Sequence, residues 1–225
     1  MELFRTALFS DANLLSYYRL EDITDSKGSA NLTNVNDVAF NASKFNNGAD
    51  FGSANTNKQL YNRSLLGTSQ AADRTIVGWI KPTVASGEMP FIYFGYAGAK
   101  RGYYLKYLSS GNLVGGGFRD YIADYVVNFA SGLITDWVHL ALTYTGATLE
   151  FFVGGVSKGT QNMPVENGII GSTATDGISL GEFAGSFASG LIDDVAIFDR
   201  VLTAAEILTL VEETPTDPGL FDFNG

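Results

Sequence analysis

Few side chains in this sequence could break a bond. There is one histidine, His139, and no cysteine, so a Ser-His-Asp relay or a histidine metal site would have to use that one residue, and thiolate chemistry has none. His139 sits in Trp137-Val138-His139-Leu140-Ala141-Leu142, an apolar strand pattern in which a satisfied, half-buried structural imidazole is expected. Retaining glycoside hydrolysis needs two carboxylates about 5–5.5 Å apart, which on one strand means acids two residues apart on the same face. Glu150 stands by itself among Leu149, Phe151 and Phe152, and Asp193-Asp194 are adjacent and should face opposite sides. The sequence points away from catalysis.

What remains is recognition. Tyr93, Tyr96, Tyr103, Tyr104, Tyr107, Phe118, Tyr121 and Tyr125 are interleaved with Arg101, Arg119 and Asp120. Sugar faces stack on aromatic rings while acids and guanidiniums hydrogen-bond hydroxyls, so the mixture suits glycan binding. Tyr96, Arg101, Tyr104, Arg119 and Tyr121 are the candidate ligand-binding residues; at least half of the tyrosines are expected in the core or at its rim.

The bulk properties narrow the partners. A formal charge of −10, from 24 acidic and 14 basic residues, repels phosphate backbones and argues against nucleic-acid binding. No run approaches the ~18 apolar residues needed to span a bilayer, so no membrane insertion is expected. No signal peptide is visible in Met1-Glu2-Leu3-Phe4-Arg5. Without cysteine the 225-residue chain has no disulfides and must rely on its core, which this length can supply. The sequons at Asn31, Asn41 and Asn62 are no more than chance provides.

These side chains need elements to position them. The 26 glycines and 13% aromatic residues suit many short strands joined by tight turns. Arg74 to Ile80 reads as a strand ended by Lys81-Pro82, and Phe91–Tyr96 and Tyr103–Leu108 follow, the second with aromatics at both parities. Trp137–Tyr144 and Thr148–Val153 pair as a hairpin around Gly146, and Ile178–Leu180 and Leu191–Phe198 close the series. One helix is expected late, where Thr203-Ala204-Ala205-Glu206 forms a capping box before Ile207-Leu208-Thr209-Leu210-Val211. The expected fold is all-β, a two-sheet antiparallel sandwich with one short C-terminal helix.

Three segments give this pattern a family likeness: Thr75-Ile76-Val77-Gly78-Trp79-Ile80-Lys81-Pro82; Trp137 to Tyr144 followed by Leu149-Glu150-Phe151-Phe152-Val153-Gly154-Gly155; and Gly190-Leu191-Ile192-Asp193-Asp194-Val195-Ala196-Ile197-Phe198-Asp199-Arg200 running into the helix. In this order, with Tyr17-Tyr18-Arg19-Leu20 before them, they resemble laminin G-like, concanavalin A-like jelly-roll domains. The resemblance covers residues 14–212, leaving an arm at 1–13 and a tail at 213–225, and implies a jelly roll with its chain ends close together. It also implies a structural calcium held by Asp193, with Glu21 or Asp25 supplying an acid and a carbonyl near Gly48 another oxygen. Gly154-Gly155 stands where the family usually has Asp-Gly; glycine can fill the same left-handed turn positions.

Two readings follow. The first is a non-catalytic extracellular carbohydrate-binding or adhesion module, calcium-stabilised, acting on a glycan or glycoprotein surface. The second is a structural subunit of a virion, tail fibre or surface filament, a homo-oligomer assembled through apolar terminal arms containing Leu3, Phe4, Leu8 and Phe9 at the front and Leu220, Phe221 and Phe223 at the back.

Overall fold

The computed structural model of the chain describes residues 9–53, 56–63, 73–83, 88–95, 102–108, 113–118, 125–128, 136–162, 177–183 and 185–212. Seventeen strands run in order as β1 Leu14–Tyr18, β2 Thr33–Val35, β3 Ala39–Ala42, β4 Asn47–Asp50, β5 Gln59–Asn62, β6 Arg74–Pro82, β7 Glu88–Gly95, β8 Gly102–Leu108, β9 Leu113–Phe118, β10 Tyr125–Asn128, β11 Val138–Tyr144, β12 Thr148–Val153, β13 Val156–Asn162, β14 Gly177–Leu180, β15 Glu182–Phe183, β16 Ser186–Phe187 and β17 Gly190–Phe198. Helix α1 follows at Ala204–Glu212. Among these residues the strands form two antiparallel sheets and a small hairpin. An eight-stranded sheet runs β13-β12-β11-β6-β17-β4-β3 with β1 beside β17, and a seven-stranded sheet runs β10-β9-β8-β7-β14-β5-β2. This is the jelly-roll sandwich expected.

Alternation decides which residues fill the space between the sheets. Ile76 and Ile80 of β6, Leu140, Leu142 and Tyr144 of β11, Ile92 and Phe94 of β7, and Tyr103, Leu105 and Tyr107 of β8 belong to one apolar cluster. The sheets approach closely at Gly78, where an added Cβ would come within 2.5 Å of Ile92 Cδ1. The expected β11–β12 hairpin forms, with Leu140 opposite Val153 through Tyr144 opposite Leu149. Gly154 and Gly155, at φ 58° and 77°, turn β12 into β13 with the paired left-handed residues that a two-residue hairpin requires.

A second apolar cluster lies on the outer side of the eight-stranded sheet, where Val77, Ala141, Phe152, Ala196 and Phe198 meet Leu14, Tyr17, Leu202 and Ile207. Helix α1 covers this half. Its capping box closes as expected: Thr203 Oγ1 accepts from Glu206 N at 3.2 Å, and Glu206 Oε2 accepts from Thr203 N at 2.7 Å. Glu206 and Asp11 both bind Arg200, at 2.7 and 2.6 Å, which ties the start of the described chain to the helix. Phe9 stacks on Tyr17 at 4.2 Å, so this arm residue packs on its own domain. Leu3, Phe4 and Leu8 and the tail's Leu220, Phe221 and Phe223 fall outside the described residues.

Candidate functional site

The outer face of the seven-stranded sheet carries a row of polar and aromatic side chains that neither apolar cluster uses. The register aligns Thr33 with Tyr61, Tyr61 with Ser179, Ser179 with Tyr93, and Tyr93 with Tyr104. Directly paired residues share a face, and their strand neighbours Leu60, Ile178, Leu180, Ile92, Phe94, Tyr103 and Leu105 all point into the core, so the row points outward. From Tyr61 to Tyr104 it crosses three strand spacings, about 14 Å.

The middle of the row is covered by the β15–β16 hairpin. Phe183 stacks on the Tyr93 ring with centroids 3.9 Å apart and planes 14° from parallel. Three polar side chains hold the hairpin down. Gln59 Nε2 donates to Ser179 Oγ and to Glu182 Oε2, both at 2.9 Å. Ser179 Oγ donates to the Glu182 carbonyl at 2.7 Å, and Gly185 N to Glu182 Oε1 at 2.9 Å. Gln59, Tyr61, Ser179, Glu182 and Phe183 are half-buried, a rim that sets two aromatic side chains beside hydrogen-bonding groups. Tyr93 and Tyr104 lie deeper, 4% and 6% exposed. Lys106 Nζ lies 4.9 Å from the Tyr104 centroid.

Tyr104 thus belongs to the floor of this face, and Tyr96, Arg101, Arg119 and Tyr121 lie outside the described residues. The tyrosine-rich segment divides by parity: Tyr103 and Tyr107 join the core, while Tyr93 and Tyr104 take the other face. Tyr61, Gln59, Ser179 and Phe183 escape a search for aromatic density because they come from distant segments. Their signal was alternation, in Gln59-Leu60-Tyr61 and Ile178-Ser179-Leu180.

The single histidine is structural in placement. His139 is 2% exposed with its ring edge-on to Trp79 at 5.2 Å. Burial lowers its pKa from 6.5 to about 3, so it is neutral at pH 7. Its Nδ1 is buried without a hydrogen-bond partner among the described residues; the satisfied imidazole expected from the sequence is not found.

Asp193 lies two strands away, opposite Trp79 on the outer side of the eight-stranded sheet. A bulge between Asp193 and Ala196 breaks the alternation expected for the adjacent acids. Asp194 sits at φ 48° and its Oδ1 accepts the Tyr17 hydroxyl, while Val195 returns to the core. Asp193 Oδ2 accepts Phe45 N at 2.9 Å, but Asp193 Oδ1 and Ser43 Oγ are buried with no hydrogen bond. Burial, and then the charge of Asp194, raise the Asp193 pKa from 3.8 to about 7, against the lowering effect of Phe45 N and of Ser43. Ser43 thus lies near enough to act on the carboxylate but outside hydrogen-bonding geometry. Gly48 leaves room at this point, since a Cβ there would collide with Ser43 Oγ. Glu21 reaches the same loop, accepting Asn47 N at 3.2 Å.

Orphaned hydroxyl and carboxylate oxygens are donors that calcium takes, together with carbonyls and water, so Asp193, Ser43 and the loop at Gly48 and Glu21 fit such an ion. Asp25 does not belong with them. Its carboxylate is 3% exposed and accepts Ser16 Oγ at 3.1 Å and the backbone N–H of Tyr17, Lys27 and Ala30 at 3.0, 3.1 and 3.2 Å. It is spent on folding the turn after β1. Among the described residues no three Asp, Glu or His side chains cluster as metal ligands, so an ion here would depend on non-acidic oxygens.

The architecture recurs in solved structures. Domain 4 of AbnA, a GH43 extracellular arabinanase from Geobacillus stearothermophilus, solved in complex with arabinotriose, superposes at TM-score 0.68 with 18% identity, over 90% of this chain and 100% of that one. The binding domain of botulinum neurotoxin DC in complex with rat synaptotagmin II matches at TM-score 0.69 and 15% identity, over 88% of this chain and 51% of that one. A botulinum neurotoxin type C structure, whose cell entry is described as dependent on two ganglioside molecules, matches at 0.69 and 16%, over 92% and 52%. This chain therefore spans about half the length of the toxin domains, and at these identities the likeness is one of fold. No curated protein matches the sequence. The family match, by contrast, is to the sequence itself: it runs over residues 34–208, from β2 into α1 and through both sheets, and on that extent the chain belongs to the concanavalin A-like lectin/glucanases superfamily.

Proposed function

We propose that the chain is a non-catalytic carbohydrate-binding module that takes its ligand on the outer face of the seven-stranded sheet, at the rim formed by Tyr61, Gln59, Ser179, Glu182 and Phe183. One observation carries this reading: strands from distant parts of the sequence align ring, hydroxyl, ring and ring in a single row that the core does not use. Apolar ring faces beside fixed hydrogen-bonding groups are what sugar rings require. Support comes from solved relatives whose descriptions name arabinotriose and gangliosides. The non-catalytic part rests on the carboxylates: Glu150 is bound to Ser157, Glu182 to Gln59 and Gly185, and Asp25 to its turn. The module works outside the cell, a reading supported by the extracellular arabinanase that carries the same fold.

A glycan-array screen of the purified chain tests this, run in millimolar calcium and again in EDTA. Binding to a narrow glycan set is expected; silence in both buffers would overturn the reading.

Calcium at Asp193 and Ser43 is the second part of the proposal. A bound ion would neutralise the buried carboxylate and pin the loop of residues 43–47, stabilising the fold without touching the sugar face. The melting temperature is expected to rise by several degrees in millimolar calcium, since a ligand of the native state adds about 2.7 kcal/mol at a hundredfold excess over its Kd. Asp193→Asn and Ser43→Ala should lose that response. An unchanged melting curve after EDTA treatment would remove calcium from the account.

A further inference from the structure

The carbohydrate reading leaves the chemical class of the sugar open, and one residue narrows it. Arg63 follows β5 directly, two residues beyond Tyr61 and on the same face by alternation. Its guanidinium carbon lies 4.6 Å from the centroid of the Tyr61 ring. The side chain is exposed, and among the described residues it makes no hydrogen bond or ion pair. Its charge is therefore open to an anionic ligand, in a chain with 24 acidic and 14 basic residues. The acid of this rim, Glu182, has both oxygens engaged, by Gln59 and by Gly185 N.

Arg63 borders the backbone of β14. Gly177 packs so closely that a Cβ would strike the Asn62 carbonyl, with Arg63 Cα 2.9 Å away. Gly177 pairs with Gly95, and Gly95 with Gly102, so β14, β7 and β8 place no side chain on this register. The parallel register two residues along carries Ser179, Tyr93 and Tyr104. Gly177 and Gly95 are buried, so Arg63 and Tyr61 form the accessible edge of this register.

We propose that Arg63 is a specificity-determining residue for a carboxylated glycan, the sugar's carboxylate pairing with the guanidinium while its ring lies on the rim beside Tyr61. This rests on the carbohydrate reading and adds the ligand class. Arginine stacked on an aromatic ring keeps its fork pre-organised, and the fork matches a carboxylate with two parallel hydrogen bonds. One arginine suits one negative charge per sugar; the net charge of −10 opposes multiply charged ligands such as phosphorylated glycans.

The source of the carboxylate can be a uronic acid or a sialic acid, and the test separates them. Calorimetry on the full chain would use galacturonic acid against galactose, and 3′-sialyllactose against lactose, each acidic probe carrying a single charge. One of the acidic sugars is expected to bind about tenfold or more tighter than its neutral counterpart, the size of one charge-assisted pair. Arg63→Gln should remove that preference, and Arg63→Lys should keep only part of it, since lysine keeps charge without the fork. Equal affinity for acidic and neutral sugars, an acid preference that survives Arg63→Gln, or no binding of either acidic sugar would each overturn this inference. In the first case the carbohydrate reading itself stands; only a silent glycan array removes both.

Discussion

Asp25→Ala is expected to lower the stability of the domain by about 4 kcal/mol and its melting temperature by roughly 10 °C. The carboxylate is buried and accepts four hydrogen bonds, three from backbone N–H groups and one from the Ser16 hydroxyl. Removing it strands four donors, of which Ser16 Oγ and Tyr17 N are buried and Lys27 N and Ala30 N part-buried, and each buried donor left without a partner costs about 1–3 kcal/mol. Tyr17 is among them, and β1 pairs with β17 along Ser16 to Tyr18, so the loss reaches the strand that borders the second apolar cluster. Asp22→Ala is the contrast: Asp22 also caps a backbone N–H, that of Thr24 at 2.7 Å, but is exposed to water, and its loss should cost about 0.5–1 kcal/mol. Urea denaturation of both variants checks the pair. An Asp25→Ala protein within about 1 kcal/mol of wild type would show that the carboxylate does not anchor the turn.

His139 gives the second large effect, and its sign follows from burial. The imidazole has its pKa lowered to about 3 in the folded chain against about 6.5 when unfolded. Between these values the unfolded chain carries the proton and the folded one does not, so each unit of acidification removes about 1.4 kcal/mol of stability. His139→Phe keeps the ring against Trp79 and cannot titrate. The stability of wild type relative to this variant should therefore fall by on the order of 3 kcal/mol from pH 6.5 to pH 4. Carboxylates with lowered pKa, such as Glu206 beside Arg200, also destabilise the fold as pH drops, but they do so in both proteins and cancel. Parallel stability curves across that range would mean that the imidazole is solvated or paired in the folded state.

Much of the fold was legible because its signals are local. The β11–β12 hairpin announced itself by two apolar runs around Gly146, the helix by a capping box, and β6 by the proline that ends it. The proposed binding face was not, because it is built by pairing β5 with β14 and β14 with β7, segments separated by more than a hundred residues in the first case. No window of sequence contains Tyr61, Ser179 and Tyr93 together. Density of tyrosines instead drew the reading to residues 93–125, where alternation sends Tyr103 and Tyr107 to the core and Tyr104 to a floor. Asp193 was legible as a special position, and the bulge that makes it so was not, since Asp194 at φ 48° is a backbone choice that adjacent aspartates do not reveal. Asp25 fell to the same limit: an acid in a polar turn reads equally as a metal ligand and as a backbone acceptor until its donors are in place.

The central claim is that sugar binds to the outer face of the seven-stranded sheet, and the most direct measurement compares two substitutions on opposite faces. Affinity for the best array glycan would be measured for wild type, for Tyr61→Ala and for Lys44→Ala, whose side chain lies over Trp79 on the other sheet at 4.5 Å. Loss of an aromatic stacking partner should weaken binding by about tenfold or more in Tyr61→Ala, with Lys44→Ala unchanged. Wild-type affinity in Tyr61→Ala, with the loss in Lys44→Ala instead, would place the ligand on the opposite sheet and contradict the account.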